Sequence, residues 1–164
     1  MDVAHFSTAD LADAHPGVQV ASPGLRHFGG KHRFLGPIAT ILCFEDNSRV
    51  RELVGSDGHG RVLVVDGGGS MQCALLGDLL GEKAVENGWA AVVVNGCVRD
   101  TRRLGQLPLG VMALETHPRR SEKRGMGEVD VAVRFAGVTF EPGWHLYADE
   151  DGLLVSAESL FSGS

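Results

Sequence analysis

The sequence predicts one α/β domain with a parallel βαβ core and additional antiparallel strands. Three observations carry this. Arg61-Val-Leu-Val-Val65 and Ala90-Ala-Val-Val-Val94 are short apolar runs of the kind that strands buried on both faces require. Between them lies a helix-forming stretch that Asn87-Gly88 terminates, and strand, helix, strand with short links implies parallel neighbours joined by a right-handed crossover. Beyond residue 110 the chain becomes a series of short strand-like segments separated by the turn signals Ala136-Gly137, Pro142-Gly143 and Asp151-Gly152.

Taken in order, Thr8-Ala-Asp10-Leu-Ala-Asp13-Ala14 reads as a short helix, with Thr8 or Ser7 as N-cap and acids in its first turn. Pro16-Gly17 ends it. Strands are expected around Val18–Val20 and over Ile38–Cys43, with a loop over Phe28–Phe34 between them. Glu45-Asp46-Asn47-Ser48 signals a helix start, and Arg49–Val54 follows with Val50, Leu53 and Val54 on one face. Asp66-Gly-Gly-Gly-Ser70 is a loop. Met71 to Asn87 is helical in composition, but Gly77 and Gly81 interrupt it, and a glycine inside a helix costs about 1 kcal/mol relative to alanine. A break at Gly77 is the better reading, placing Asp78 at the N-cap or first turn of the main helix. The remaining strands are expected at Val111–Leu114, Val131–Phe135, Val138–Phe140, His145–Tyr147 and Leu153–Val155. With no repeat, linker or low-complexity tract, residues 1–164 read as a single domain.

Composition narrows the function classes. Hydrophobic residues make up 43% of the 164 residues, so a disordered chain is not expected. The net charge of −6 without a long basic run argues against nucleic acid or an anionic membrane as partner. Cys43, Cys73 and Cys97 form no CxxC pair, which predicts reduced thiols and a cytoplasmic protein. The N-terminus lacks the pattern of a signal peptide, and no apolar run approaches membrane length. The 23 glycines are about twice the usual share, to be accounted for by turns or by close backbone approach to a ligand.

Ligands of parallel α/β units bind beyond the carboxyl ends of the strands. The first core strand ends in Asp66 and three glycines, with Gly77-Asp78-Leu79-Leu80 following, and the second ends in Asn95-Gly96-Cys97-Val98-Arg99-Asp100. The topology therefore brings Asp78, Arg99 and Asp100 to one rim. Arg99 can grip a carboxylate in bidentate fashion. Backbone amides at Gly77–Leu80 favour an anion. Asp100 can ligate magnesium or manganese, and Asp78 can move a proton directly or through a water. A 2-oxo acid such as pyruvate suits that set. The alternative is that Arg99 and Asp100 form a solvated surface pair and Asp78 only caps a helix. Asp66–Ser70 lacks the lysine and spacing of a P-loop and reads as a tight turn that lets backbone approach the site. The histidines show no metal-ligand spacing, Cys97 reads as packing, and Arg119-Arg120-Ser-Glu-Lys123-Arg124 reads as a mobile solvated loop or else a phosphate or partner contact.

Phe44-Glu45-Asp46-Asn47, Gly60–Ser70, Leu76-Gly77-Asp78, Asn87-Gly88-Trp89 and Gly96-Cys-Val-Arg-Asp100 together resemble the RraA-like family. So do Gly137-Val-Thr-Phe140, Pro142-Gly143 and Tyr147–Gly152, and the resemblance runs from about Thr8 to Ser156. That family includes the regulator of ribonuclease activity A and the class II 4-hydroxy-4-methyl-2-oxoglutarate aldolases. A methyltransferase label has also been attached to members, but no glycine motif for S-adenosylmethionine is present here. The resemblance implies a swivelling β/β/α fold assembled as a homotrimer or hexamer, with sites at subunit interfaces. It implies cleavage of 4-hydroxy-4-methyl-2-oxoglutarate to two pyruvates and decarboxylation of oxaloacetate. By position, Gly77, Asp78, Leu79 and Leu80 would bind substrate through backbone amides, Arg99 would bind the substrate carboxylate, Asp100 would hold a divalent cation (Mg2+ or Mn2+), and Asp78 would orient the water that exchanges the proton. The longer aldolases of the family carry a C-terminal helical extension that gives an acidic residue to the neighbouring metal site. Ending at Ser164, this sequence predicts that ligand to be absent or replaced. The alternative function the family implies is inhibition of an endoribonuclease by protein–protein contact.

Overall fold

The two apolar runs pair side by side and in parallel at the centre of one mixed sheet, with Val62 opposite Ala91 and Val65 opposite Val94. The structure is a computed structural model and describes residues 4–161. In chain order the elements are α1 (Thr8–Ala14), β1 (Gln19–Val20), β2 (Arg26–His27), β3 (Phe34–Leu42), α2 (Ser48–Val54), β4 (Val62–Asp66), β5 (Ala74–Leu76), α3 (Asp78–Glu86), β6 (Ala91–Val98), α4 (Thr101–Leu104), β7 (Gly110–Thr116), β8 (Glu128–Val129), β9 (Val133–Phe135), β10 (Val138–Phe140), β11 (His145–Asp149) and β12 (Gly152–Ser156). The sheet runs β1-β12-β11-β3-β4-β6-β7-β2, with β5 added to β6 and β8 to β3. Strands β3, β4, β6 and β7 are mutually parallel, and the flanking pairs are antiparallel. Pro37 sits where β3 passes from its β11 ladder to its β4 ladder, a place where a missing N–H is tolerated.

Period-two alternation along β4 divides the core. Leu63 and Val65 face one side, packing with Val50 and Val54 of α2, Ala84 of α3 and Leu104 of α4. Val62 and Val64 face the other, against Val133, Phe135, Val138 and Phe140 of the β9–β10 hairpin and Leu146 and Val155 of the antiparallel strands. The layers are thus β/β/α, and the central strands are buried on both faces as their composition demands. A third cluster of Phe6, Leu11, Tyr147 and Leu154 fastens α1, whose N-cap is Ser7. Among the described residues no helix is long and apolar enough to cross a membrane.

Several elements differ from the sequence reading. Residues 71–76 are not helical: Ala74-Leu75-Leu76 is a buried strand parallel to the end of β6. Leucine and alanine favour helix only weakly, and burial of all three side chains against β6 outweighs that preference. The break at Gly77 stands, with Gly77 as N-cap and Asp78 in the first helical turn. The second core strand extends past Val94 to Val98 because β5 and β7 flank that end, so only Arg99 and Asp100 lie beyond it. β3 begins at Phe34, and Val131 lies outside β9, its carbonyl instead accepting from Thr40 Oγ1 at 2.6 Å. β2, β8 and α4 carry no periodic signal, being two to four residues long and set by their neighbours.

Candidate active site

The rim of the sheet at the ends of β5 and β6 carries the site. Arg99 N–H donates to Leu76 O at 2.9 Å, so the two chain ends leave the sheet in contact. Leu76 leads through Gly77 into α3, and Val98 leads through Arg99-Asp100 into α4. Gly77 is required here for space: a Cβ on it would lie 2.6 Å from Asp100 Oδ2 and 3.3 Å from Arg99 Cγ. That opening admits the Asp100 carboxylate, whose Oδ2 accepts from the Asp78 amide at 3.0 Å. Asp100 itself has φ +56°, in the left-handed region where non-glycine residues are strained.

Gly77, Asp78, Leu79, Leu80, Arg99 and Asp100 all line one cavity of about 300 Å³. Of the amides left for an anion in the sequence reading, that of Asp78 is taken by Asp100. Leu79 and Leu80 keep theirs, because the first turn of a helix has no intrahelical acceptor for them. The Asp78 carboxylate makes no hydrogen bond or ion pair among the described residues. The Arg99 Nε to Asp100 Oδ2 distance is 4.0 Å, and Arg99 Nη1 donates to Pro118 O at 3.4 Å, so among the described residues most of the guanidinium is unengaged.

The sequence reading did not assign the rest of the lining to this site. Asn47, Arg51, Lys83, Arg120 and Lys123 also line the cavity. Asn47 Nδ2 donates to Leu75 O at 3.1 Å, while its buried Oδ1 has no partner among the described residues. The segment 119–124 is held in place: Ala74 N–H donates to Arg119 O at 2.7 Å, and buried Ser121 Oγ accepts from Asn47 N–H at 3.1 Å. Asp46 is the fastening. Its Oδ1 accepts from Ser48 N and Oγ, and its Oδ2 from Arg124 N at 2.7 Å. Burial pushes its carboxyl up, but these donors outweigh that and hold it at about 2. The mobile-loop reading of this segment is therefore corrected. The signal available was the Glu45-Asp46-Asn47 motif, which the sequence reading took only as a helix start and as part of the family resemblance.

The glycine turn Gly67–Gly69 and Gly96, expected beside the site, do not line the cavity. Gly67 and Gly69 amides both donate to Asn95 O at 3.1 Å, and Gly68 and Gly69 have φ of +67° and +75°, so the turn caps β4 against β6. Cys97 is buried with its thiol raised by burial, in keeping with packing.

Asp100 Oδ1 has no hydrogen-bond partner among the described residues, and its side chain is 40% exposed, which suits a hard cation that keeps several waters. Among the described residues no group of three or more His, Cys, Asp or Glu side chains converges on a metal position.

The sequence model described as "RraA-like: Aldolase/RraA" matches residues 8–155. The chain belongs to the RraA-like family. RraA-like relatives of similar length include a protein of Pseudomonas syringae pv. tomato named "Putative 4-hydroxy-4-methyl-2-oxoglutarate aldolase", 57% identical over 157 residues that make up 95% of this chain and 97% of that one. A protein of Laribacter hongkongensis bearing the same name is 59% identical over 156 residues, 94% of this chain and 98% of its own. Two solved structures share the RraA-like fold closely. One, described as an S-adenosylmethionine: 2-dimethylmenaquinone methyltransferase from Geobacillus kaustophilus, has a TM-score of 0.94 at 46% identity, covering 97% of this chain and 99% of that chain. The other, described as the RNA-processing inhibitor RraA from Thermus thermophilis, has a TM-score of 0.93 at 47% identity, covering 97% and 96%.

Proposed function

We propose that the protein is a divalent-metal-dependent class II aldolase, a lyase that cleaves 4-hydroxy-4-methyl-2-oxoglutarate to two pyruvates and also decarboxylates oxaloacetate. The observation that carries this reading is the meeting of Asp78, Arg99 and Asp100 on one cavity. The names of the two aldolase relatives support it. Arg99 grips the C1 carboxylate and 2-oxo oxygen, assisted by the Leu79 and Leu80 amides. A proton leaves the C4 hydroxyl through a water oriented by the Asp78 carboxylate. The C3–C4 electron pair then moves toward C2, releasing one pyruvate and leaving the enolate of the other. The same water returns a proton to C3. With oxaloacetate the bond to C4 breaks as carbon dioxide leaves, and the enolate is protonated in the same way. Mg2+ or Mn2+ held at Asp100 largely through water would stabilise charge developing on the 2-oxo oxygen.

Turnover of either substrate with magnesium or manganese tests the proposal. Loss of turnover in chelator and in Arg99→Ala is expected, the latter by about 10²–10³-fold, a size typical of removing one oxyanion-stabilising donor. Turnover that survives both changes refutes it. Assembly as a homotrimer or hexamer in the cytoplasm belongs to the same reading. Exposed Leu42, Phe44, Met126 and Val129, on the segments that also carry Asn47 and Lys123, supply apolar surface for it. Light scattering that returns the monomer mass would refute the assembly. The likeness to the RNA-processing inhibitor favours a second reading, inhibition of an endoribonuclease by protein–protein contact. An inhibition assay with the host's endoribonuclease separates the two.

A further inference from the structure

The cavity carries more positive charge than the single carboxylate held by Arg99 accounts for. The chain as a whole is acidic, at −6, yet five cationic side chains line this one cavity against two carboxylates. Four arginines elsewhere are paired: Arg26 with Glu115, Arg49 with Glu52, Arg103 with Glu82 and Arg124 with Glu122. Arg51, Lys83, Arg120 and Lys123 make no ion pair or side-chain hydrogen bond among the described residues. Unpaired like charges held together repel one another, and a bound anion removes that cost.

These cations come from different elements than Arg99. Arg51 stands one turn after Asn47 on α2, and Arg120 bridges to Ala74 in the pinned 119–124 segment. Both line the cavity together with Gly77–Leu80 and Asp100. Their guanidinium groups are forked donors suited to a planar carboxylate. We infer that Arg51 and Arg120 form a second anion subsite that takes the distal carboxylate of a 2-oxo dicarboxylic acid, so that the enzyme selects dicarboxylates over 2-oxo acids ending in a methyl group. This rests on the 2-oxo acid reading above and adds to it the residues that set substrate length and charge.

The test compares 4-hydroxy-4-methyl-2-oxoglutarate with 4-hydroxy-4-methyl-2-oxopentanoate, in which a methyl group replaces the distal carboxylate. The variants are Arg51→Ala, Arg120→Ala and their combination, with Arg134→Ala as a charge-matched control away from the cavity. The wild-type preference in kcat/KM for the dicarboxylate should fall about 10–100-fold in the double variant, the size of one or two charge-assisted hydrogen bonds, and stay unchanged in Arg134→Ala. An unchanged preference in the double variant, or an equal loss in Arg134→Ala, overturns the inference. Calorimetry with 2-oxoglutarate and 2-oxopentanoate supplies a readout without turnover. Equal affinity of the wild type for both also overturns it. If neither hydroxy acid is cleaved, but 2-oxoglutarate binds at least 10-fold tighter and the double variant abolishes the difference, the subsite stands and the aldolase reading fails.

Discussion

Replacing Gly77 by alanine should separate the fold from the function. The backbone at Gly77, φ −135° and ψ −167°, is extended and open to any residue, so alanine brings no conformational penalty. Its Cβ, however, would lie 2.6 Å from Asp100 Oδ2, where ordinary contact begins at 3.4 Å. The carboxylate must therefore retreat by roughly 0.8 Å, the smallest shift that restores van der Waals contact. That retreat stretches the 3.0 Å bond from the Asp78 amide out of range and displaces Arg99, whose Cγ would be 3.3 Å from the new methyl. Losing one partly exposed hydrogen bond costs about 0.5–1.5 kcal/mol, or a few degrees in Tm for a domain of this size. Misplacing reacting groups by about 1 Å costs on the order of 10²-fold in rate. Oxaloacetate decarboxylation with saturating magnesium, followed alongside a thermal melt, measures both. Activity within twofold of wild type in a folded Gly77→Ala protein would refute the claim that the Asp100 position matters.

Asp100→Gly should leave Tm within a few degrees of wild type, because relief of a left-handed backbone worth about 1 kcal/mol offsets loss of the hydrogen bond from the Asp78 amide, while activity is lost; a large fall in Tm with activity retained would contradict this. Asp46 has a folded-state value of about 2 against an ordinary 3.8, so its contribution is present in full above about pH 4 and is lost as pH falls toward 2. Asp46→Asn should remove that part of the acid dependence, read by denaturant melts between pH 2 and 7. The effect is on the order of 1 kcal/mol after discounting for solvent screening. Cys43, pushed up to about 12 mainly by burial and then by the Asp46 and Asp66 charges, should react with a disulfide reagent at pH 8 at least about 10²-fold more slowly than a free thiol. Cys73 and Cys97, raised mainly by burial, should be slow as well, with all three reacting readily once denatured.

What the sequence made legible follows from how local each signal is. The Val62–Asp66 and Ala91–Val94 pairing was readable because continuous apolar runs have few other uses, and Gly77 marked the start of α3 because glycine is costly inside a helix. Ala74–Leu76 was not readable, since its strand state depends on the far end of β6, 23 residues further on, accepting it as a neighbour. The same holds for the site. Gly77–Leu80, Arg99 and Asp100 sit at strand ends whose proximity the βαβ topology dictates. Arg120 and Lys123 reach the cavity because Asp46 and Ser121 fasten their segment to the start of α2, the helix that carries Arg51. No local pattern carries that long-range fastening.

The alternative for Arg99 and Asp100, a solvated surface ion pair, agrees with their exposure but leaves parts of the geometry without a role. A surface pair should have relaxed backbone and two side chains turned to each other. Here Arg99 Nε and Asp100 Oδ2 stand at 4.0 Å, the outer limit of an ion pair. Asp100 holds a strained φ of +56°, and its carboxylate is directed to the Asp78 amide through a gap that only a glycine at 77 leaves open. Strain of that kind persists only where the surroundings over-determine it. What it achieves is to leave one oxygen of Asp100, the Asp78 carboxylate and most of the Arg99 guanidinium without partners among the described residues, all lining one cavity. Groups left unpaired together in that way are poor for stability and suited to holding something else.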